Sequence, residues 1–397
     1  MTRWMAGLVW LGLSATLANA GDIAWKQHTI NAKSDFESAS AFDVNNDGKI
    51  DIVSGDTWYE GPDWKPRHVR DVERAGRTYR NCFATLPMDV NADGFMDFIT
   101  VAYFPKNVGW VENPGKSDKD WTYHEIDLPG TSEAAKLVDL TGDGKPEVLP
   151  NPTNVVVWYE LEKAAASPTW KKHDFGKEAA GHGVGSGDIN GDGRVDLLTP
   201  KGWFEAPADP RNDTWTWHAA WDLGATGIQI LGRDVDGDGL SDVVYGKGHD
   251  YGLYWLKQSK GSDGKALFTK NAIDESIASV HSLIWADLDG DGKANELVTG
   301  KRVYAHEIEP GATDASVIAY YVFDRTTAKW AKHVVFQGQP AKNASPKGEE
   351  RNAQIDFPVG TAGTGLQIEA VDIDGDGDLD LLCPGKSGLY WFENIKK

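Results

Sequence analysis

Small, apolar and aromatic positions recur along this chain in a fixed order. A strand of small residues leads into an Asp/Gly-rich loop. A short apolar run follows, as in Asp51-Ile-Val-Ser, Asp97-Phe-Ile-Thr, Asp196-Leu-Leu-Thr and Asp242-Val-Val-Tyr. Next comes an aromatic segment, mostly W-x-E: Trp58-Tyr-Glu60, Trp110-Val-Glu112, Trp158-Tyr-Glu160, Trp203-Phe-Glu205 and Trp391-Phe-Glu393, with Trp255 and Tyr321 read into the same place. A fourth segment reads W-x-x-(x)-H, as in Trp64…His68, Trp121…His124, Trp170…His173, Trp215…His218 and Trp330…His333. Period-two alternation with aromatic content predicts strands, and the Gly/Asp clusters predict turns.

The loop D-x-[DNT]-x-D-G-x-x-[DEN] starts at Asp43, Asp89, Asp139, Asp188, Asp234, Asp287 and Asp372, at intervals of 46, 50, 49, 46, 53 and 85 residues. Each of the first five intervals fits one four-stranded blade; the last carries an insertion, placed at about 337–364, that would fold over one face as a lid. The chain ends after a third strand, Leu389-Tyr-Trp-Phe-Glu393, and opens on an orphan fourth strand, Trp25-Lys-Gln-His28-Thr-Ile. The N-terminal strand is therefore expected to complete the last blade and remove the open sheet edges. The expectation is an all-β, seven-bladed β-propeller forming one domain over residues 21–397. A solenoid would need capping units rather than split halves of one repeat.

Oxygen ligands at positions 1, 3, 5 and 9, with Gly at 6, follow the spacing of a calcium loop, in which a tight turn points alternate residues at one ion. The candidate ligands are Asp43, Asn45, Asp47 and Asp51; Asp89, Asn91, Asp93 and Asp97; Asp139, Asp143 and Glu147; Asp188, Asn190, Asp192 and Asp196; Asp234, Asp236, Asp238 and Asp242; Asp287, Asp289 and Asp291; and Asp372, Asp374, Asp376 and Asp380. The third loop has Thr141 at position 3, and the sixth has Asn295 at position 9 with Glu296 beside it. The alternative is an Asp/Gly turn satisfied by its own backbone hydrogen bonds. Structural Ca²⁺ at several loops, on the face away from any substrate, is the expectation.

On these loops the sequence resembles the FG-GAP/VCBS repeat proteins, the family that includes the integrin α-subunit propeller. W-x-E-x-P mostly replaces the namesake Gly-Ala-Pro element. In His182-Gly-Val-Gly-Ser-Gly-Asp, His281-Ser-Leu-Ile-Trp-Ala-Asp and Thr299-Gly-Lys-Arg followed by His306, it is similar to the propeller part of fungal aldos-2-ulose dehydratases. The first resemblance implies a propeller; the second implies elimination chemistry on a keto-sugar.

Residues 1–20 read as a secretory signal: Arg3, an uncharged apolar run over 5–17, then Ala18-Asn19-Ala20 with cleavage before Gly21. The run is short for a bilayer span, the alternative being an uncleaved anchor. Export to a periplasmic or extracellular location is expected, with no membrane span. The chain of 397 residues carries 60 Asp+Glu against 40 Lys+Arg, a net charge of −20. That excess argues against a nucleic-acid partner, which requires a basic face. The loop positions hold 23 of the acidic residues, so much of the charge reads as ligand charge. Cys82 and Cys383 are too few for a disulfide scaffold and are not expected to pair.

Six of the ten histidines (His28, His68, His124, His173, His218 and His333) share the fourth-strand position, which implies packing. His182 and His281 instead lie six residues ahead of Asp188 and Asp287, at the start of an innermost strand and on the face opposite the Asp loops. His249 and His306 fall in loops that open on that same face. These four, with Lys301 and Arg302 as charge stabilisers, form the candidate catalytic set. Lys201, Lys247, Tyr251 and Lys386 are candidate substrate contacts, and Trp221 is either a sugar-stacking wall or a packing residue. A neutral imidazole is a suitable base for a proton beside a carbonyl, and a cation stabilises the resulting enolate. Three or four imidazoles also suit one transition metal. The expected activity is β-elimination or dehydration of a carbohydrate. Glu307, Glu309 and Asp314 beside His306 leave a two-carboxylate hydrolase open. A non-catalytic propeller that binds a glycan or a protein partner is the alternative class.

Overall fold

The computed structural model describes residues 23–75, 79–306, 308–342 and 355–395. The expected signal segment and the centre of the insertion lie outside them. The described chain is all β and has no helix; none is therefore long and apolar enough to cross a membrane. Its strands form a propeller-like arrangement of five four-stranded sheets and one eight-stranded sheet, plus a small hairpin of Arg74–Ala75 with Tyr79–Arg80.

Sheet A contains Ala24–Asn31, Gly388–Ile395, Asp380–Gly385 and Glu369–Val371 in that spatial order. The N-terminal strand thus completes the last sheet, paired antiparallel from Ala24↔Ile395 to Asn31↔Leu389. Sheets B (Ser40–Phe42 to Lys65–His68), C (Leu86–Met88 to Thr122–Asp127), D (Ser132–Val138 to Thr169–Asp174) and F (Val280–Ala286 to Lys329–Gln337) are simple four-stranded meanders. Sheet E holds two such meanders, from Val184–Gly187 out to Thr216–His218 and from Gln229–Arg233 out to Ala266–Ala278. Their innermost strands pair in parallel, Val184↔Gln229 to Ser186↔Leu231.

The sequence His182-Gly-Val-Gly-Ser-Gly explains that junction. A Cβ on Gly185 would lie 1.7 Å from the Ile230 carbonyl oxygen, and one on Gly187 would lie 2.5 Å from that of Gly232. Only a strand without these side chains can approach its neighbour closely enough to bond.

The repeated histidines are packing elements. His124 stacks on Trp110, His173 on Trp158, His218 on Trp203 and His28 on Trp391, with ring centroids 3.5–4.4 Å apart. In each case Nε2 faces the Glu of W-x-E, at 2.7 Å for His124–Glu112 and 2.8 Å for His218–Glu205. Two positions differ from the repeat as read. In sheet B it is Arg67, not His68, that sits opposite Trp58 and binds Glu60. In sheet F, Tyr320 rather than Tyr321 pairs with and stacks on His333.

The ninth residue of each Asp loop is a buried tie. Asp51 accepts Val44 N–H at 3.0 Å and Gly61 N–H at 2.8 Å, joining the loop to the end of the third strand. Asp97, Asp196, Asp242 and Asp380 repeat the pattern. Burial pushes these carboxyls up, to about 7 for Asp97 and Asp380 and about 6 for Asp196 and Asp242. In the sixth loop Glu296, not Asn295, fills this place and accepts Leu288 N–H at 2.9 Å. Its longer side chain offsets the one-residue shift. Cys82 and Cys383 are free and buried.

Candidate functional site

Four repeats carry an ionisable residue at one position, six ahead of the loop's first Asp and in or just before the innermost strand: Glu37, Glu133, His182 and His281. His249 and His306 reach the same place from the loops after Asp242–Gly246 and Glu296–Lys301. The fused inner strands of sheet E help to bring the rings together. A Cβ on Gly183 would lie 2.0 Å from Thr226 Oγ1, so glycine there lets His182 reach the neighbouring backbone.

Each of three rings is anchored through Nδ1. His182 Nδ1 lies 2.7 Å from the Thr226 carbonyl oxygen, and His281 Nδ1 lies 3.1 Å from that of Ser279. His249 Nδ1 lies 2.8 Å from Glu309 Oε1. A carbonyl or carboxylate oxygen only accepts, so each Nδ1 carries the proton, which leaves Nε2 as the nitrogen of each ring that faces inward. One nitrogen from each of His182, His249 and His281 falls within 4.8 Å of the others. His182 Nε2 is 3.3 Å from His249 Nε2 and 3.4 Å from Glu133 Oε2. His281 is fully buried, and its Nε2 has no hydrogen-bond partner. Burial first, and then the Arg302 charge, hold His281 well below the ordinary imidazole pKa. His306, 4.8 Å from His249 by ring centroid, is also lowered, by burial and then Arg302, and its Nε2 is buried without a partner.

Converging lone pairs repel unless a cation or a shared proton lies between them. Two nitrogens bound at about 2.0–2.1 Å to one tetrahedral ion sit about 3.3 Å apart. The His182–His249 spacing matches that value. Three imidazoles, each held through Nδ1 by a carbonyl or carboxylate behind it and each directing Nε2 inward, plus one carboxylate form a donor set that fits a divalent transition metal.

The neighbouring cations have internal partners. Arg302 is fully buried and donates from Nε and Nη2 to Glu37 at 2.7 and 2.9 Å, and from Nη1 to Glu133 at 3.4 Å. Burial acts to raise the Glu37 and Glu133 carboxyls, but Arg302 overrides it and holds both below the usual range. Lys301 Nζ donates to the Gly311, Ala312 and Asp314 carbonyls and so staples the 303–316 loop; the structure does not bring it to the histidines. Lys386 Nζ binds the Tyr304 carbonyl at 3.0 Å and approaches Glu37 at 3.5 Å. Lys247 and Lys201 donate to the Leu223 and Glu178 carbonyls, and the Tyr251 hydroxyl donates to Asp314. Trp221 packs edge-on against Phe268 and donates to Thr199 O. The insertion flanks bury Ile355 and Phe357 against Val303 and Ala312, beside this loop. Glu307 lies outside the described residues.

Glu37 and Glu133 are the participants that motif reading missed. Their signal was available, because they share the repeat position that singled out His182 and His281. Nothing in the sequence marks the Thr226 carbonyl.

Comparison with known proteins adds the following. An FG-GAP-like repeat family matches residues 89–149 and 234–298. Aldos-2-ulose dehydratase of Phanerodontia chrysosporium is 21% identical over 315 residues, covering 68% of this chain and 34% of that protein. The chain therefore spans about a third of the length of this curated relative. Among solved structures, an exotype rhamnogalacturonan lyase aligns with a TM-score of 0.46 at 13% identity, covering 93% of this chain and 72% of that one. An auxiliary nutrient binding protein from Bacteroides ovatus aligns with a TM-score of 0.43 at 10% identity, covering 79% and 69%.

Proposed function

We propose that this chain, which carries FG-GAP-like repeats, is an exported, calcium-stabilised enzyme that acts on carbohydrate by β-elimination or dehydration at the histidine cluster. The observation that carries the reading is the convergence of three Nδ1-anchored imidazoles beside His306, whose buried Nε2 has no partner. The similarity to a dehydratase supports the reaction class. Sheet E counts as two blades whose inner strands touch, which makes the ring seven-bladed.

His182, His249 and His281, with Glu133, would hold one divalent transition metal, which supplies Lewis-acid stabilisation of the enolate oxygen. His306, held neutral by burial, takes the proton beside the carbonyl. The electron pair of the broken C–H bond becomes the new C=C bond as the β C–O bond breaks, and the imidazolium returns the proton to the leaving oxygen. Glu309 holds the Nδ1 proton of His249 and so fixes that ring's tautomer. Arg302 acts through Glu133 and Glu37 and does not itself reach a substrate.

The test is an ultraviolet screen for unsaturated products from uronate-containing glycans and keto-sugars. His306→Ala is expected to lower turnover by about 10²–10⁴-fold. Unchanged turnover in that variant would remove His306 from the mechanism. Glycan binding without turnover on any substrate would leave a non-catalytic binding propeller.

Calcium is proposed on the opposite face. Carboxylate oxygens of Asp139, Asp143 and Glu147, of Asp234, Asp236 and Asp242, and of Asp287, Asp289 and Asp291 each fall within 4.8 Å of one another. The first Asp of each loop accepts N–H groups of its own turn, as Asp43 does from Asp47 at 3.1 Å and Gly48 at 2.8 Å, which preforms the turn around the ion. Removing calcium with a chelator is expected to lower the melting temperature by several degrees, reversed by millimolar Ca²⁺. A melting curve indifferent to chelation and to added Ca²⁺ would leave the loops as plain hydrogen-bonded turns.

A further inference from the structure

An aromatic strip crosses the histidine face and is not used by the chemistry above. Phe104, in the 102–107 loop between Asp97–Val101 and Val108–Glu112, is a large apolar side chain left 47% exposed. Its ring lies 5.2 Å from that of Tyr103 and 5.9 Å from that of Tyr79. Tyr79 stands on the strand Tyr79–Arg80, paired with Arg74–Ala75, and Asp35 holds both strands through Arg74 and Arg80. The strip leads into the site. The Tyr79 hydroxyl donates to the Ala305 carbonyl at 3.2 Å, one residue from His306. Lys386 Nζ lies 3.7 Å from the Tyr79 ring centroid and helps to hold that ring.

Phe104 is the exposed member of the strip, the half-buried Tyr103 and Tyr79 pack against that ring at 64° and 53°, and the exposed Lys106 flanks it. An aromatic side chain buries about 150–250 Å², whereas a stable protein partner covers about 800 Å² on each side. The strip is too small for such a partner but suits sugar rings, whose apolar C–H faces meet the electron-rich face of an aromatic ring. We infer that Phe104, Tyr103 and Tyr79 form a stacking subsite for sugar units next to the reacting one, so that the substrate is an oligo- or polysaccharide rather than a free monosaccharide. This rests on the carbohydrate reading of the histidine site.

The test uses wild-type protein and Phe104→Ala on polygalacturonate, glucuronoxylan and chondroitin, and on the monosaccharides of each. Turnover is measured alongside retardation in glycan-containing gels. Phe104 is exposed, so the variant is expected to fold as the wild type does, with an unchanged melting temperature as the control. For the polymer that is used, KM is expected to rise about tenfold in Phe104→Ala with kcat little changed, because stacking away from the reacting bond is uniform binding. Gel retardation should weaken in parallel, and monosaccharide kinetics should stay the same. Equal wild-type efficiency on monomer and polymer, or a polymer KM untouched in Phe104→Ala, overturns the subsite and leaves the histidine site standing. A wild type that neither binds nor converts any of these sugars overturns the carbohydrate reading, and the subsite with it.

Discussion

Replacing His281 by Ala is expected to abolish binding of the proposed transition metal and to lower turnover by at least about 10²-fold. His281 is fully buried, its Nδ1 faces the Ser279 carbonyl, and its Nε2 has no protein partner. A buried acceptor left without a partner is costly, so a ring kept in that state at the centre of a cluster indicates a ligand. Elemental analysis should give close to one transition metal per wild-type chain after chelator-reversible calcium is removed, and close to none in His281→Ala. His173→Ala is the contrasting variant. His173 stacks on Trp158 at 3.5 Å in the outer part of sheet D. Its loss should cost about 0.5–1.5 kcal/mol of stability while leaving metal content and turnover intact. Equal metal content in wild type and His281→Ala would refute the metal centre.

The second large effect is expected at Arg302. Arg302→Leu should destabilise the fold by about 3–5 kcal/mol, because it leaves Glu37 and Glu133 as buried carboxylates without their cation. The pairs join three sheets near the site, since Glu37 precedes sheet B, Glu133 lies in sheet D and Arg302 follows the second strand of sheet F. In the wild type both carboxyls are held below their ordinary pKa despite burial. Their contribution is therefore present above the unfolded-state pKa and is lost as pH falls through the folded value. Without Arg302 the same burial raises them, so protonation relieves the variant as pH falls. The deficit measured by urea unfolding should thus be larger at pH 7 than at pH 4. Adding Glu37→Leu to Arg302→Leu should recover part of the loss. A single-variant deficit below about 1 kcal/mol, constant with pH, would show that Arg302 is not what holds these carboxylates.

The strand order and the ring-closing N-terminal strand were legible because both are written in local patterns. W-x-E, the Asp loop and W-x-x-H each act within a few residues, and the split repeat at the two termini dictates their pairing. Even the misassigned position carried its signal. Trp and His are three residues apart in the other fourth strands, but Trp64 and His68 are four apart, and the residue three after Trp64 is Arg67. The convergence of His182, His249, His281 and His306 followed from counting repeat positions. Glu37 and Glu133 stood at the same offset and went unread, because motif reading sought departures in histidine alone.

What could not be read was the fate of charge. In the sequence, Lys301 and Arg302 read as charge stabilisers and Lys201, Lys247 and Lys386 as substrate contacts. Whether an ammonium reaches solvent or a backbone carbonyl depends on loops from different sheets, and the fold gives Lys301, Lys247 and Lys386 carbonyl partners. By itself the sequence determined the repeat, the strand types and which face gathers the histidines, since these depend on periodicity and on order along the chain. The tertiary structure alone decided three things: that glycines fuse two meanders into sheet E, which Nδ1 finds which oxygen, and that Arg302 lies buried between two carboxylates. Each depends on distances between residues far apart in the chain, and those distances are set by how the sheets pack.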